Sequence, residues 1–119
     1  MATVEQNDAS PLTGRWRITA MSAWDRDHLD VDGPASIEFD AHGGGAFRFV
    51  LVHGDMDCRL ATRGRRPAVE WTWDGRVKEE LAHGRGWAVL KGGGLRGMIF
   101  FHQGYESEFV ATRMEANRH

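Results

Sequence analysis

The residues that could carry chemistry in this 119-residue chain are histidines and carboxylates that gather in its polar segments. Four of the six histidines fall there, at His28, His53, His83 and His102. Histidine and carboxylate side chains ligate zinc or iron, and they also serve as general acids and bases. No two of these histidines have the spacing of a metal-binding pair on one strand or one helix. We therefore predict no metal site and no cofactor.

The single cysteine and the glycine-rich turns give no catalytic motif. Cys58 stands in the middle of an alternating segment between Asp57 and Arg59, which predicts a buried, unreactive thiol. The segment KGGGLRG lacks the strand–loop–helix context and the Gly-Lys-Ser/Thr ending of a phosphate-binding loop. We predict no catalytic residue, and a small barrel enzyme that uses histidine and aspartate stays open as an alternative.

Composition excludes several classes of partner. The net charge of −2 and the pI near 6.3 lack the basic excess of a nucleic-acid binder. One cysteine allows no intrachain disulfide, which is typical of a reducing compartment. Residues 1–11 carry neither the basic nor the apolar run of a signal peptide. We predict a cytoplasmic protein with no nucleic-acid or membrane partner.

Alternation of apolar and polar residues between glycine-rich turns predicts eight short strands. They are GRWRITAMSAW, ASIEFD, GAFRFVLV, MDCRLA, AVEWTW, GWAVLK, LRGMIFFH and EFVATRM, over residues 14–24, 35–40, 45–52, 56–61, 68–73, 86–91, 95–102 and 108–114. Without crossover helices the strands must pair antiparallel. The pattern predicts an all-β fold, an eight-stranded antiparallel up-and-down barrel, with a two-sheet sandwich as the alternative. One domain spans residues 12–114, between a flexible N-terminal segment (1–11) and a flexible tail (115–119).

Alternating strand direction assigns each connection to one end of the barrel. The short connections AHGG, RGRR and KGGG fall at the Trp16 end. The Trp24 end receives HGD, QGYES and two connections that we predict to be long, over residues 25–34 and 74–84. Loops on a rigid scaffold tend to carry function, so we predict that a ligand enters at the Trp24 end. The candidate ligand-binding residues are Trp24, His28, His53, Asp55, Trp73, His102 and Tyr105.

The stretch Gly14-Arg15-Trp16 on the first strand, together with Arg113 on the last, resembles the signature of the calycin superfamily, which includes lipocalins and avidins. Antiparallel pairing of the two strands places Arg113 beside Trp16, where a guanidinium stacks favourably on an indole ring. The resemblance implies a calycin-like barrel in which Trp16 and Arg113 form a structural lid at the closed end. The whole chain also resembles an uncharacterised family of small bacterial proteins, which implies no activity.

These patterns favour a non-enzymatic binding protein for a small apolar or aromatic ligand at the open barrel end. The aromatic residues cannot all fit a narrow interior, so some must line a pocket or an outer patch. A protein–protein interaction module, a homodimer built on an outer aromatic face, is therefore a second hypothesis. Which face of residues 70–73 points into the barrel stays open.

Overall fold

The computed structural model describes residues 10–114, so the predictions for residues 1–9 and 115–119 lie outside the described chain. Eight sequential antiparallel strands close into a barrel in which the first strand pairs with the last. They are β1 (Gly14–Met21), β2 (Ser36–Phe39), β3 (Gly44–Phe49), β4 (Val52–Arg63), β5 (Arg66–Val77), β6 (Glu80–Lys91), β7 (Gly94–Phe101) and β8 (Glu106–Arg113), with a one-turn helix α1 (Arg26–Leu29) after β1. The predicted all-β up-and-down barrel is confirmed. Between residues 10 and 114, no helix has the length and apolar character needed to cross a membrane.

The predicted long connection over residues 74–84 is wrong. Strands β5 and β6 stay paired as far as Val77 and Glu80, so only a two-residue turn joins them. The inward positions of this hairpin include Gly75 and Gly84, where a Cβ would lie 1.8 Å from the carbonyl oxygens of His53 and Phe100, respectively. Glycine lets the backbone of the neighbouring strand approach closely there, and its use removes the apolar alternation by which a strand is recognised.

The predicted HGD turn is also wrong, for the same reason. The chain turns at Val50 and Leu51, and His53 and Asp55 already belong to β4. The inward residue between them is Gly54, where a Cβ would lie 2.5 Å from the ring of Phe47. At Gly54 the ring of Phe47 thus takes the space of the missing side chain.

Strand β1 is shorter and less regular than predicted. Its pairing with β8 shifts between Ile18 and Ala20, and the strand ends at Met21. Met21 rather than Ala20 is therefore buried in the interior. Trp24 lies beyond the strand, in the connection that carries α1.

The aromatic residues divide between the two sides of the barrel wall. Trp71 and Trp73 point inward and are buried, which answers the open question about residues 70–73. Trp87 and Phe100 lie on the outer surface and are half-buried. The interior is therefore a packed aromatic core, and a second aromatic group faces outward.

Candidate functional site

At the Trp16 end, Trp16 and Arg113 lie side by side on paired strands, as the sequence predicts. The Arg113 guanidinium lies over the Trp16 ring, 4.1 Å from its centroid. The same guanidinium donates to the carbonyl oxygens of Thr13 at 2.7 Å and Pro11 at 2.6 Å. At Gly14, with φ of +123°, a Cβ would lie 2.7 Å from Arg113 Nη1. The predicted contact between Trp16 and Arg113 is confirmed, and Gly14 gives the guanidinium its space.

Aromatic rings also fill the barrel at the Trp24 end. The Trp24 ring centroid lies 5.2 Å from that of Phe49, 6.2 Å from Phe101 and 5.7 Å from Tyr105. Below them, Trp73 meets Phe101 edge-on at 5.1 Å. Tilted and edge-on contacts of this kind are favourable. We call these five residues the mouth cluster; Phe49 and Trp73 are buried, Trp24 and Phe101 are half-buried, and Tyr105 is exposed at the barrel end where we predict ligand entry.

A buried serine holds the Trp24 segment against β8. Ser107 Oγ accepts a hydrogen bond from the main-chain N–H of Ala23 at 3.1 Å. Ser22 Oγ in turn accepts from the main-chain N–H of Glu108 at 2.9 Å. These bonds fix the chain directly before Trp24, so the indole ring is held over the barrel end.

The seven predicted ligand-binding residues do not surround one cavity. Trp24, Trp73 and Tyr105 belong to the mouth cluster, whereas the other four, His28, His53, Asp55 and His102, are exposed on the outer surface. His102 stacks on His83 with ring centroids 4.6 Å apart. Parity explains the result for His53 and Asp55, because β4 begins before them and points both side chains outward.

One histidine forms a pair with a carboxylate, as an acid–base site would require. His53 Nε2 lies 3.0 Å from Asp32 Oδ2, and both side chains are about half exposed to solvent. The groove beside them is lined by no serine, threonine or cysteine that could act as a nucleophile. Among residues 10–114, no three histidine, cysteine or acidic side chains are grouped to hold a metal ion.

The Trp16 end contains a cavity that sequence reasoning missed. It has a volume of about 240 Å³ and lies between the segment before β1, the β2–β3 turn and the middle of β4 and β5. We call it the Cys58 cavity; it is lined by Ser10, Leu12, Thr13, residues 39–44, residues 58–60 and Val69. The inward positions Phe39, Cys58 and Val69 were its only signal in the sequence, and they look the same as ordinary core positions.

Cys58 lies buried in this cavity, in agreement with the prediction. Its main-chain N–H donates to the Gly43 carbonyl at 2.8 Å, which ties β4 to the β2–β3 turn. Burial raises the pKa of the Cys58 thiol to about 12, and the negative charges of Asp40 and Asp57 add to this effect. The thiol is therefore neutral at pH 7, and it is a weak nucleophile.

The rim of the Cys58 cavity is polar and carries a stable negative charge. Asp40 Oδ1 accepts main-chain hydrogen bonds from Gly44 at 2.9 Å and His42 at 2.7 Å. These bonds, that of Gly44 first, hold the pKa of the Asp40 carboxyl below its ordinary value. The cavity thus combines apolar walls and a neutral thiol with an ionised carboxylate at its entrance.

Comparison with known proteins gives no match for this chain, whether with family models, curated proteins or solved structures. The class of protein is defined by geometry alone. It is a closed, eight-stranded, antiparallel up-and-down barrel, compatible with the calycin-like fold.

Proposed function

We propose that this barrel is a non-enzymatic binding protein for a small apolar or aromatic molecule, which occupies the Cys58 cavity. The observation that carries the proposal is the cavity itself, about 240 Å³ in volume and bordered by Leu12, Phe39 and Val69. An apolar cavity of about 150 Å³ is large enough to bind benzene. The Cys58 cavity therefore suits a molecule of one or two rings, which would be bound mainly by the hydrophobic effect.

The location differs from the Trp24 end that the loop lengths favour. A ligand entering there must displace the Trp24 ring from Phe49, Phe101 and Tyr105. Each aromatic pair contributes about 0.5–1.5 kcal/mol beyond its buried area, so opening this end is costly. The Cys58 cavity needs no such displacement, and its few polar rim groups could orient a ligand.

Two further features support a binding role. Burial keeps the Cys58 thiol neutral at pH 7, and the groove of the solvent-exposed Asp32–His53 pair is lined by no serine, threonine or cysteine. The Trp16–Arg113 contact supports placing the barrel in the calycin superfamily, many of whose members are carriers. The free Cys58 supports a cytoplasmic location, because reducing compartments keep thiols unpaired.

The test uses indole and naphthalene as probes and the Cys58 thiol as the reporter. A probe at 100 times its dissociation constant stabilises the fold by about 2.7 kcal/mol, which raises the melting temperature. It also slows modification of Cys58 by methyl methanethiosulfonate. Val69→Phe fills the cavity and removes both effects, whereas Tyr105→Ala, at the other end, retains them.

A second blocking variant covers the case in which Val69→Phe does not fold. Leu60 lies at the cavity rim and is exposed, so Leu60→Trp narrows the entrance without altering the core. Two results would overturn the proposal. One is that neither probe stabilises the wild-type protein, and the other is that Trp24→Ala abolishes binding while Leu60→Trp leaves it unchanged.

A further inference from the structure

The outer face of β5–β8 carries an ordered row of side chains across the strands. Glu70 on β5 pairs with Trp87 on β6, Trp87 pairs with Met98 on β7, and Met98 pairs with Glu108 on β8. All four residues occupy outward positions. The row therefore reads acid, aromatic, apolar, acid, with its two half-buried apolar residues in the middle.

Two arginines lie on either side of this row, in the direction of the strands. Arg85 is two residues from Trp87 on β6 and pairs with Phe100. Arg96 is two residues from Met98 on β7, toward the opposite end of the barrel, because its partner is Val89. We call Glu70, Glu108, Arg85 and Arg96 the charge cross, centred on Trp87 and Met98.

The two arms of the charge cross are equal in length. Measured along the curved barrel wall, Glu70 and Glu108 are three inter-strand steps of about 4.8 Å apart, or about 14 Å. Along the same wall, Arg85 and Arg96 are four residues of about 3.4 Å apart in the strand direction and one step apart across the strands, which also gives about 14 Å. All four side chains are exposed, and within residues 10–114 none of them forms an ion pair.

This pattern is complementary to itself in one orientation. If a second barrel lies on this face with its strands aligned, glutamate faces glutamate. If the strands cross at about a right angle, a known mode of sheet packing, every glutamate faces an arginine of the other copy. We propose that this face binds a second copy of the chain, with the two barrels crossed and Trp87 and Met98 buried at the centre.

Two observations favour a second copy over another partner. The charge cross holds two acids and two bases, so a uniformly acidic or basic partner would be repelled by half of it. Trp87, the aromatic residue at the centre, is already held in place by the Arg63 guanidinium, 3.8 Å from its ring centroid, and Arg85 stacks in the same way on Phe100 beside the centre at 4.6 Å. Aromatic centres with charged rims are typical of protein interfaces.

Charge reversal tests the proposal through the oligomeric state. Sedimentation velocity over a range of concentrations is expected to show a dimer for the wild-type protein. E70R/E108R makes all four charges positive and R85E/R96E makes all four negative, so each variant alone should dimerise about 100-fold more weakly or worse. E79R/E80R, at the exposed β5–β6 turn, changes the net charge as much as E70R/E108R and should leave the dimer intact. Circular dichroism verifies the fold of each variant.

A mixture of the two double variants, and a fourfold variant that combines them, distinguish crossed barrels from other dimers. An equimolar mixture of E70R/E108R and R85E/R96E should form a heterodimer, because their charges are opposite at all four positions. The fourfold variant, with both arms reversed, should dimerise with itself again. A monomeric wild-type protein, a dimer unaffected by either double reversal, or a mixture that stays monomeric would overturn the proposal. None of these outcomes depends on the Cys58 cavity.

Discussion

Trp16 and Arg113 each contribute to the stability of the fold, and the contact between them adds a coupling energy that can be measured separately. Trp16 is 1% exposed, and its Nε1 donates to the Leu12 carbonyl at 3.0 Å. Complete truncation of such a ring costs about 3–5 kcal/mol. Trp16→Leu retains part of the volume, so we expect a loss of about 2–4 kcal/mol. Arg113→Ala removes the stacked cation and its two hydrogen bonds.

The coupling between the two side chains isolates the stacking energy. A guanidinium over an indole ring contributes about 0.5 kcal/mol when exposed and about 2 kcal/mol when desolvated. The indole ring of Trp16 is buried, whereas the Arg113 side chain is exposed, so the pair lies between these two limits. We therefore expect a coupling of about 1 kcal/mol, within that range.

Urea unfolding followed by circular dichroism measures this coupling. The wild-type protein, Trp16→Leu, Arg113→Ala and the double variant form a double-mutant cycle. The double variant should lose less stability than the sum of the two single losses. If the two losses add within about 0.3 kcal/mol, as they do for independent sites, the lid is two separate contacts and the reasoning is wrong.

Three further predictions concern single positions. Burial raises the pKa of Cys58 from 9.0 to about 12. The stabilising contribution of the neutral thiol is therefore complete below pH 9 and is lost as the pH rises from 9 to 12. Urea unfolding of Cys58→Ala should lack this loss of stability. Main-chain hydrogen bonds lower the pKa of Asp40 from 3.8. The stabilising contribution of the ionised carboxylate is therefore present above pH 3.8 and is lost as the pH falls through the lower pKa of the folded protein. Asp40→Asn should make stability less sensitive to acid, and an unchanged loss of stability at low pH would contradict this. Gly86→Ala should cost about 1–3 kcal/mol by overpacking, since its Cβ would lie 2.6 Å from the Trp71 ring, and a thermal melt at wild-type temperature would refute this.

The sequence predicts the barrel because the rule for strand alternation is local. Strands β1, β2 and β7 keep apolar residues or glycine inward, β8 does so except at the buried Ser107, and the pattern of these strands is readable. The β5–β6 hairpin is not readable in this way, because Gly75 and Gly84 occupy its inward positions. The sequence does not show which backbone segment or ring of a neighbouring strand takes the space of a missing side chain, so it predicts two connections in the wrong place.

The candidate site was harder to predict than the fold. Loop length directed attention to the Trp24 end, but Trp24 folds back over the barrel and fills it. The Cys58 cavity depends on how far the β2–β3 turn stands from Leu12 and Val69. That distance results from packing between segments far apart in the sequence, and no residue spacing encodes it.

The most direct test of the binding proposal is a map of where a small aromatic molecule contacts the protein. Two-dimensional ¹H–¹⁵N NMR of the labelled protein, titrated with indole, provides that map. We predict shifts at the amides of Gly43, Cys58 and Val69, with the Trp24 indole N–H unchanged. Shifts confined to Trp24 and Tyr105, or no saturable shift at any residue, would contradict the account.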